Sequence, residues 1–138
     1  MLSMSSVKHN RVLNTLFKLA QDVAPVASAR IAAGVVYRNE IISFGVNQMK
    51  THPFQNRFSK NSESIYLHAE TDAIKNALRS LSIKDLEKCT LYICRAKYSE
   101  RNFVYGLSKP CPGCMRAIST FNIRKVIYTC DDGNYEQL

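Results

Sequence analysis

Residues 90–130 read TLYICRAKYSERNFVYGLSKPCPGCMRAISTFNIRKVIYTC. Thr90 to Cys94 is a short apolar run and reads as a buried strand. Residues 95–109 follow as a polar connection dotted with Tyr98, Phe103 and Tyr105. A helix then begins around Cys111, with Met115 and Ile118 facing inward. Asn122 can close it, because Asn tolerates the left-handed conformation of a helix end. Lys125 to Cys130 gives a further strand. Strand, helix and strand in that order predict a parallel, right-handed crossover in a sheet covered by helices.

Working outward, Val12, Leu13, Leu16, Phe17, Ala20 and Val23 recur at helical spacing, and Pro25 stops the pattern. Arg30 to Tyr37 and Ile41 to Val46 flank the polar turn Arg38-Asn39-Glu40, which predicts an antiparallel hairpin. Residues 47–64 are polar and irregular and read as a long loop, a length usually reserved for function. A second helix follows His68, with Ile74, Ala77, Leu78 and Leu81 on one face. The order αββαβαβ predicts a mixed sheet between helices, and 138 residues fit one domain spanning 1–138.

Composition narrows the partners. Nineteen Lys and Arg against eleven Asp and Glu give a net charge of +8, which favours a phosphate-bearing partner. No apolar run approaches the roughly 20 residues that span a bilayer. The first residues lack the pattern of a secretory leader, so a cytoplasmic location is expected. Five cysteines are an odd number, and the chain is large enough to build a core without staples. Reduced thiols or metal ligands are therefore expected in place of a disulfide scaffold.

Two short motifs carry the chemistry: His68-Ala69-Glu70 and Pro110-Cys111-Pro112-Gly113-Cys114. Each opens a helix. Cys111 and Cys114 are three apart, which puts both sulfurs on one helix face. The positive end of that helix favours thiolates, the metal-binding form. With His68 they make one imidazole and two thiolates, a donor set that suits Zn²⁺ and leaves a fourth position for water. Glu70 can then take a proton from that water. Each motif alone has an ordinary use: C-x-x-C as half a structural zinc site or a redox pair, a first-turn Glu as complement to the helix dipole. A closed structural site would need a fourth ligand, and only His52 and Cys94 offer one. Neither has the characteristic spacing.

The pattern H-x-E followed by P-C-x-x-C marks the zinc nucleobase deaminases. On these residues the chain resembles the cytidine deaminase-like superfamily, and more closely its deoxycytidylate deaminases and related nucleotide or tRNA-base deaminases. The resemblance runs from about Arg30 to Cys130. It implies a three-layer α-β-α fold with a mixed sheet of four or five strands and helices on both faces, the fifth strand formed by the tail. It also implies that His68, Cys111 and Cys114 hold Zn²⁺, that Glu70 shuttles the proton, and that the chain forms a homo-oligomer. Gly45-Val46-Asn47 is similar to the family's G-x-N, whose Asn touches the substrate sugar, and the Ala69 N–H is implied to meet a carbonyl of the base.

The expected reaction is hydrolytic deamination of a cytosine nucleoside or nucleotide, dCMP-like, to the uracil product and ammonia. Lys50, His52, Arg57 and Lys60 on the loop, and Lys109 beside the second motif, are candidates for gripping a phosphate. The span from His68 to Cys111 is longer than in many relatives, and the excess at residues 95–109 carries Lys97 and Arg101 among its aromatics. Such a segment can stack a base and bind phosphate, or serve as a surface insertion. Two alternatives stand beside the leading one: a deaminase acting on a base in tRNA or single-stranded nucleic acid, and a non-catalytic zinc-stabilised nucleic-acid-binding module. His9, Cys89, Cys94 and Cys130 are assigned to ordinary structure.

Overall fold

The computed structural model describes residues 4–58 and 66–138. Lys60, one of the loop cations, lies outside them. Helix α1 (Met4–Gln21) ends four residues before Pro25. Its apolar stripe of Val12, Leu13, Leu16 and Ala20 is buried. Covering Leu13 and Leu16 is worth about 2 kcal/mol each. Strands β1 (Arg30–Tyr37) and β2 (Glu40–Val46) form the expected antiparallel hairpin. Its turn residues Arg38 and Asn39 both take positive φ (51° and 68°), as the hairpin twist requires.

The stretch after β2 is more ordered than its composition predicts. It holds β3 (Gln48–Thr51), the single turn α2 (Pro53–Asn56) and β4 (Tyr66–Leu67), with β3 and β4 paired in a small sheet of their own. Helices α3 (Ala69–Ala77) and α4 (Ile83–Leu86) follow. Then come β5 (Thr90–Ser99), β6 (Asn102–Gly106), α5 (Pro112–Thr120), β7 (Lys125–Thr129) and the tail strand β8 (Tyr135–Gln137).

The main sheet runs β2-β1-β5-β7-β8, with β6 paired to β5. The β5–β7 pair is parallel, joined through α5 as the opening stretch predicts, and the other pairs are antiparallel. The sheet therefore has six strands where four or five were expected, because residues 95–106 are not a loose connection. They extend β5 and return as β6, with Ala96 opposite Tyr105 and Tyr98 opposite Phe103. The aromatics of this hairpin serve structure: Tyr105 meets Phe17 edge-on, Phe103 meets Tyr98 edge-on, and the Arg30 guanidinium lies over Phe103.

Alternation along the strands sends side chains to two cores. Ala32, Val36, Tyr92, Cys94, Ala96 and Ile127 pack against α1. Ala33, Val35, Leu91, Ile93, Val126 and Tyr128 pack against α3, α4 and α5. The result is a three-layer α-β-α arrangement. Among the described residues, no helix is long and apolar enough to cross a membrane.

One glycine fixes how α3 sits against β2. A Cβ on Gly45 would stand 2.2 Å from the Ala73 nitrogen and 2.3 Å from the Ala69 oxygen. These are backbone atoms of α3 and cannot rotate away. Gly45→Ala is therefore expected to lose about 3 kcal/mol, at the upper end of overpacking costs. Thermal unfolding should show a fall of roughly 10 °C; an unchanged melting point would mean that α3 can shift freely.

Candidate active site

Helices α3 and α5 begin side by side. His68 is the residue before α3 and Cys111 the residue before α5, both in extended backbone, and neither side chain caps its own helix. Both are thus free to face each other across the gap. Pro110 and Pro112 flank Cys111 and set the chain for helix entry. Cys114, one turn on, is fully buried. The His68 Nδ1 lies 3.5 Å from the Cys111 sulfur and 3.3 Å from the Cys114 sulfur. The three ligand atoms fall within 4.8 Å of one another.

The electrostatics agree with a metal-binding triad. The hydrogen bond from Cys114, aided by His68, draws the Cys111 thiol down to about 3. The same bond, with burial, pushes Cys114 well up. The bond to Cys111 raises His68. Opposite shifts on two adjoining thiols mark Cys111 as the one that gives up its proton more readily, and a deprotonated thiol is the form a cation binds. One nitrogen and two sulfurs at these separations fit the soft, tetrahedral demand of zinc. Among the described residues no further His, Cys, Asp or Glu joins the cluster. Cys94 packs against α1 on the opposite face of the sheet. His52 caps α2, its Nδ1 accepting from the Phe54 N–H at 3.0 Å. Three protein donors would leave the fourth tetrahedral position of a bound zinc to water.

Glu70 sits in the first turn of α3 and is 5% exposed. Burial pushes its carboxyl up, and the adjacent His68 charge opposes that rise. A carboxylate with raised affinity for a proton, beside a metal site, is equipped to accept one and return it.

These groups border a cavity of about 600 Å³. His68, Glu70 and Cys111 lie on its inner wall, joined by Asn47, Ala69 and Lys109. Asn47 is pinned: its Oδ1 accepts from the Ile31 N–H at 2.9 Å and its Nδ2 donates to the Ala29 carbonyl at 2.9 Å. That leaves its second N–H for a ligand. Ala69 supplies the first backbone N–H of α3, a group without a partner inside the helix. Lys109 is exposed at the rim. Lys50 and Arg57 are not among the lining residues. Lys50 is exposed on β3. The Arg57 guanidinium lies over Phe54 and Phe58, beside a separate groove with Met115 and Arg116.

Three supporting residues escaped the sequence reading. Gln55 is fully buried, and its side-chain oxygen accepts from the His68 N–H at 3.1 Å and from the Thr71 hydroxyl. Asp72, also buried, accepts from the Val46 N–H and from Gln48 Nε2, both at 3.1 Å, so α3 holds the strand end that carries Asn47. Ser108 lies 3.0 Å from the Ile93 carbonyl and accepts from the Thr129 N–H at 2.9 Å, anchoring the approach to Cys111. Nothing in their spacing marks these residues.

The three-layer fold and the open N/S₂ triad beside a buried carboxylate define a zinc-dependent hydrolytic enzyme. Residues 6–130 match the sequence model of the cytidine and deoxycytidylate deaminase zinc-binding region, and the chain belongs to that family. It is thus a zinc-dependent deaminase of the cytosine-deaminating class. The fold is similar to that of a cytidine deaminase from Burkholderia pseudomallei, with a TM-score of 0.65 at 15% identity over 94% of this chain and 91% of that one. It is also similar to a dCMP deaminase from the cyanophage S-TIM5 in complex with dCMP and dUMP, with a TM-score of 0.55 at 20% identity over 93% of this chain and 82% of that one. No curated protein sequence matches the chain significantly.

Proposed function

We propose that the chain converts a cytosine nucleotide, dCMP or a close analogue, to the uracil nucleotide and ammonia. In this reading His68, Cys111 and Cys114 hold zinc and Glu70 moves the proton. The observation that carries it is the buried Glu70 beside the three-ligand cluster, on the wall of a cavity that also presents Asn47 and the Ala69 N–H. Zinc, when bound there, lowers the pKa of a water toward neutrality and so supplies the nucleophile.

The side chains do the rest. Ala69 N–H orients the base by its carbonyl, and Asn47, fixed by Ala29 and Ile31, reaches the sugar. Glu70 takes the proton of the attacking water and passes it to N3. As the C4–N bond breaks, Glu70 carries a second proton from the former water to the departing amine. Water and cytosine are consumed, and uracil and ammonia leave. A nucleotide is favoured over a free nucleoside by the net charge of +8 and by Lys109 at the rim. The fold relative that binds dCMP and dUMP adds support for the deoxycytidylate assignment.

The test is an ammonia-release screen over cytosine, deoxycytidine, dCMP, adenine and guanine nucleotides and short single strands at two salt concentrations. The expected result is dCMP as the best substrate, with kcat/KM changing less than about 3-fold between 50 and 200 mM salt. A strand that is preferred and loses activity steeply with salt would place the reaction on nucleic acid instead.

A further inference from the structure

His68 and the two cysteines stand on different helices, and that sets a problem of spacing. Cys111 and Cys114 are held relative to each other by one turn of α5. His68 enters from the start of α3, and no local pattern fixes its distance from them. Ala73, Ile74, Ala117 and Ile118 share one apolar core between the two helices. Such burial is non-directional, whereas metal ligands need placement to within about 0.5 Å.

The single turn α2 spans that gap. It is preorganised by Pro53 at its start and by His52, whose Nδ1 accepts from the Phe54 N–H. On the α3 side, Gln55 is fully buried and its Oε1 accepts from the His68 N–H at 3.1 Å. His68 occupies the capping position of α3 but turns its ring toward the cysteines and makes no cap. In a capping box the third helical residue would accept the N–H of the capping residue. Here that third residue is Thr71, whose hydroxyl itself donates to Gln55 Oε1. Gln55 therefore supplies from outside the acceptor that α3 lacks, and the imidazole is left for the cysteines. On the α5 side, Arg116 Nε donates to the Phe58 carbonyl at 2.6 Å. Phe54 stacks on Phe121, the residue that ends α5, with ring centres 5.9 Å apart and planes 12° from parallel. Phe58 meets the same ring at 6.2 Å, and the Arg57 guanidinium lies over both Phe54 and Phe58. Residues 52–58 thus grip both ligand-bearing helices at once.

We infer that this segment is a clip that sets the spacing between His68 and the cysteine pair, with Gln55 the positioning residue for His68 and Arg116 the anchor on the cysteine helix. The inference rests on the three-ligand zinc reading and not on the identity of the substrate.

The test measures zinc affinity by competition with a chromophoric chelator, and the visible spectrum after cobalt replaces zinc. It compares the parent with Gln55→Met, Gln55→Glu and Arg116→Met. Gln55→Met keeps the length of the side chain and loses the acceptor. It is expected to weaken zinc by about 10-fold to 100-fold, as for other groups that orient a ligand, and to alter the cobalt bands that report tetrahedral geometry. Gln55→Glu restores an acceptor where the helix start favours negative charge, and should stay within about 3-fold of the parent. Arg116→Met leaves both helix starts unchanged and should weaken zinc by about 5-fold, the equivalent of one hydrogen bond. If both residues act through one clip, the double variant loses less than the product of the two single losses. Losses that multiply would overturn the inference. So would Gln55→Met with the parent's zinc affinity and cobalt spectrum, since Gln55 would then only stabilise the fold. Should Gln55→Met not fold, Arg116→Met decides: weakened zinc with an altered cobalt spectrum upholds the clip, and parent-like affinity overturns it. A parent that takes up no zinc fails the metal reading and the inference with it, an outcome visible before any variant is compared.

Discussion

Glu70→Ala is expected to bind zinc at the parent's stoichiometry and to lose about 10³-fold or more in kcat, within the range for removing a positioned acid–base group. Glu70 is not one of the three clustered ligands, so the metal should remain. What disappears is the carboxylate proposed to move protons between water, N3 and the leaving amine, the acidic group among the described residues that lines the cavity. Its burial supports the size of the effect: solvent cannot easily replace a group that is 5% exposed. Metal analysis and steady-state kinetics on the same sample check this. Zinc retained with full turnover would remove Glu70 from the mechanism, and zinc lost with it would make Glu70 a ligand.

Cys111→Ala and His68→Ala should fail in the other order, losing metal first and activity as a consequence. Each leaves two ligands where three converge within 4.8 Å. Zinc affinity should drop by at least about 100-fold, beyond the loss typical of an outer-shell partner. After dialysis against a mild chelator the zinc:protein ratio should be below about 0.2 against about 1 for the parent. The far-ultraviolet circular dichroism should persist. The core formed by Leu91, Ile93, Ala73, Ile74 and Ile118 does not depend on the ion, and α3 is seated by Gly45. A variant that keeps its zinc would show that the cluster is not the metal site.

The contrast between two hairpin turns explains which parts of the fold could be read from sequence. Arg38-Asn39 and Glu100-Arg101 both adopt positive φ at two successive residues. The first contains Asn and lies between two clean apolar runs, so it was legible as a turn. The second offers Glu and Arg, residues with no preference for that conformation, between polar strands. Pairing with β5 overrides local preference there, so the β6 segment reads locally as a connection. The residues proposed to hold the metal are legible for the opposite reason. Each lies at or one turn beyond a helix start, where spacing within five residues fixes geometry. Gln55, Asp72 and Ser108 act through long-range contacts, 13 residues away for Gln55 to His68 and 26 for Asp72 to Val46. No local pattern announces such contacts. The same limit applied to the loop cations: charge alone nominated Arg57, which stacks on two phenylalanines away from the cavity.

The central claim is hydrolysis at C4 of a cytosine nucleotide, and the most direct measurement is product stoichiometry with zinc-loaded protein. Incubation with dCMP should yield ammonia and dUMP in a 1:1 ratio, at a rate that falls with zinc content when the metal is withdrawn. Zinc-loaded protein that releases no ammonia from dCMP, or from any other cytosine nucleoside or nucleotide, would contradict the account.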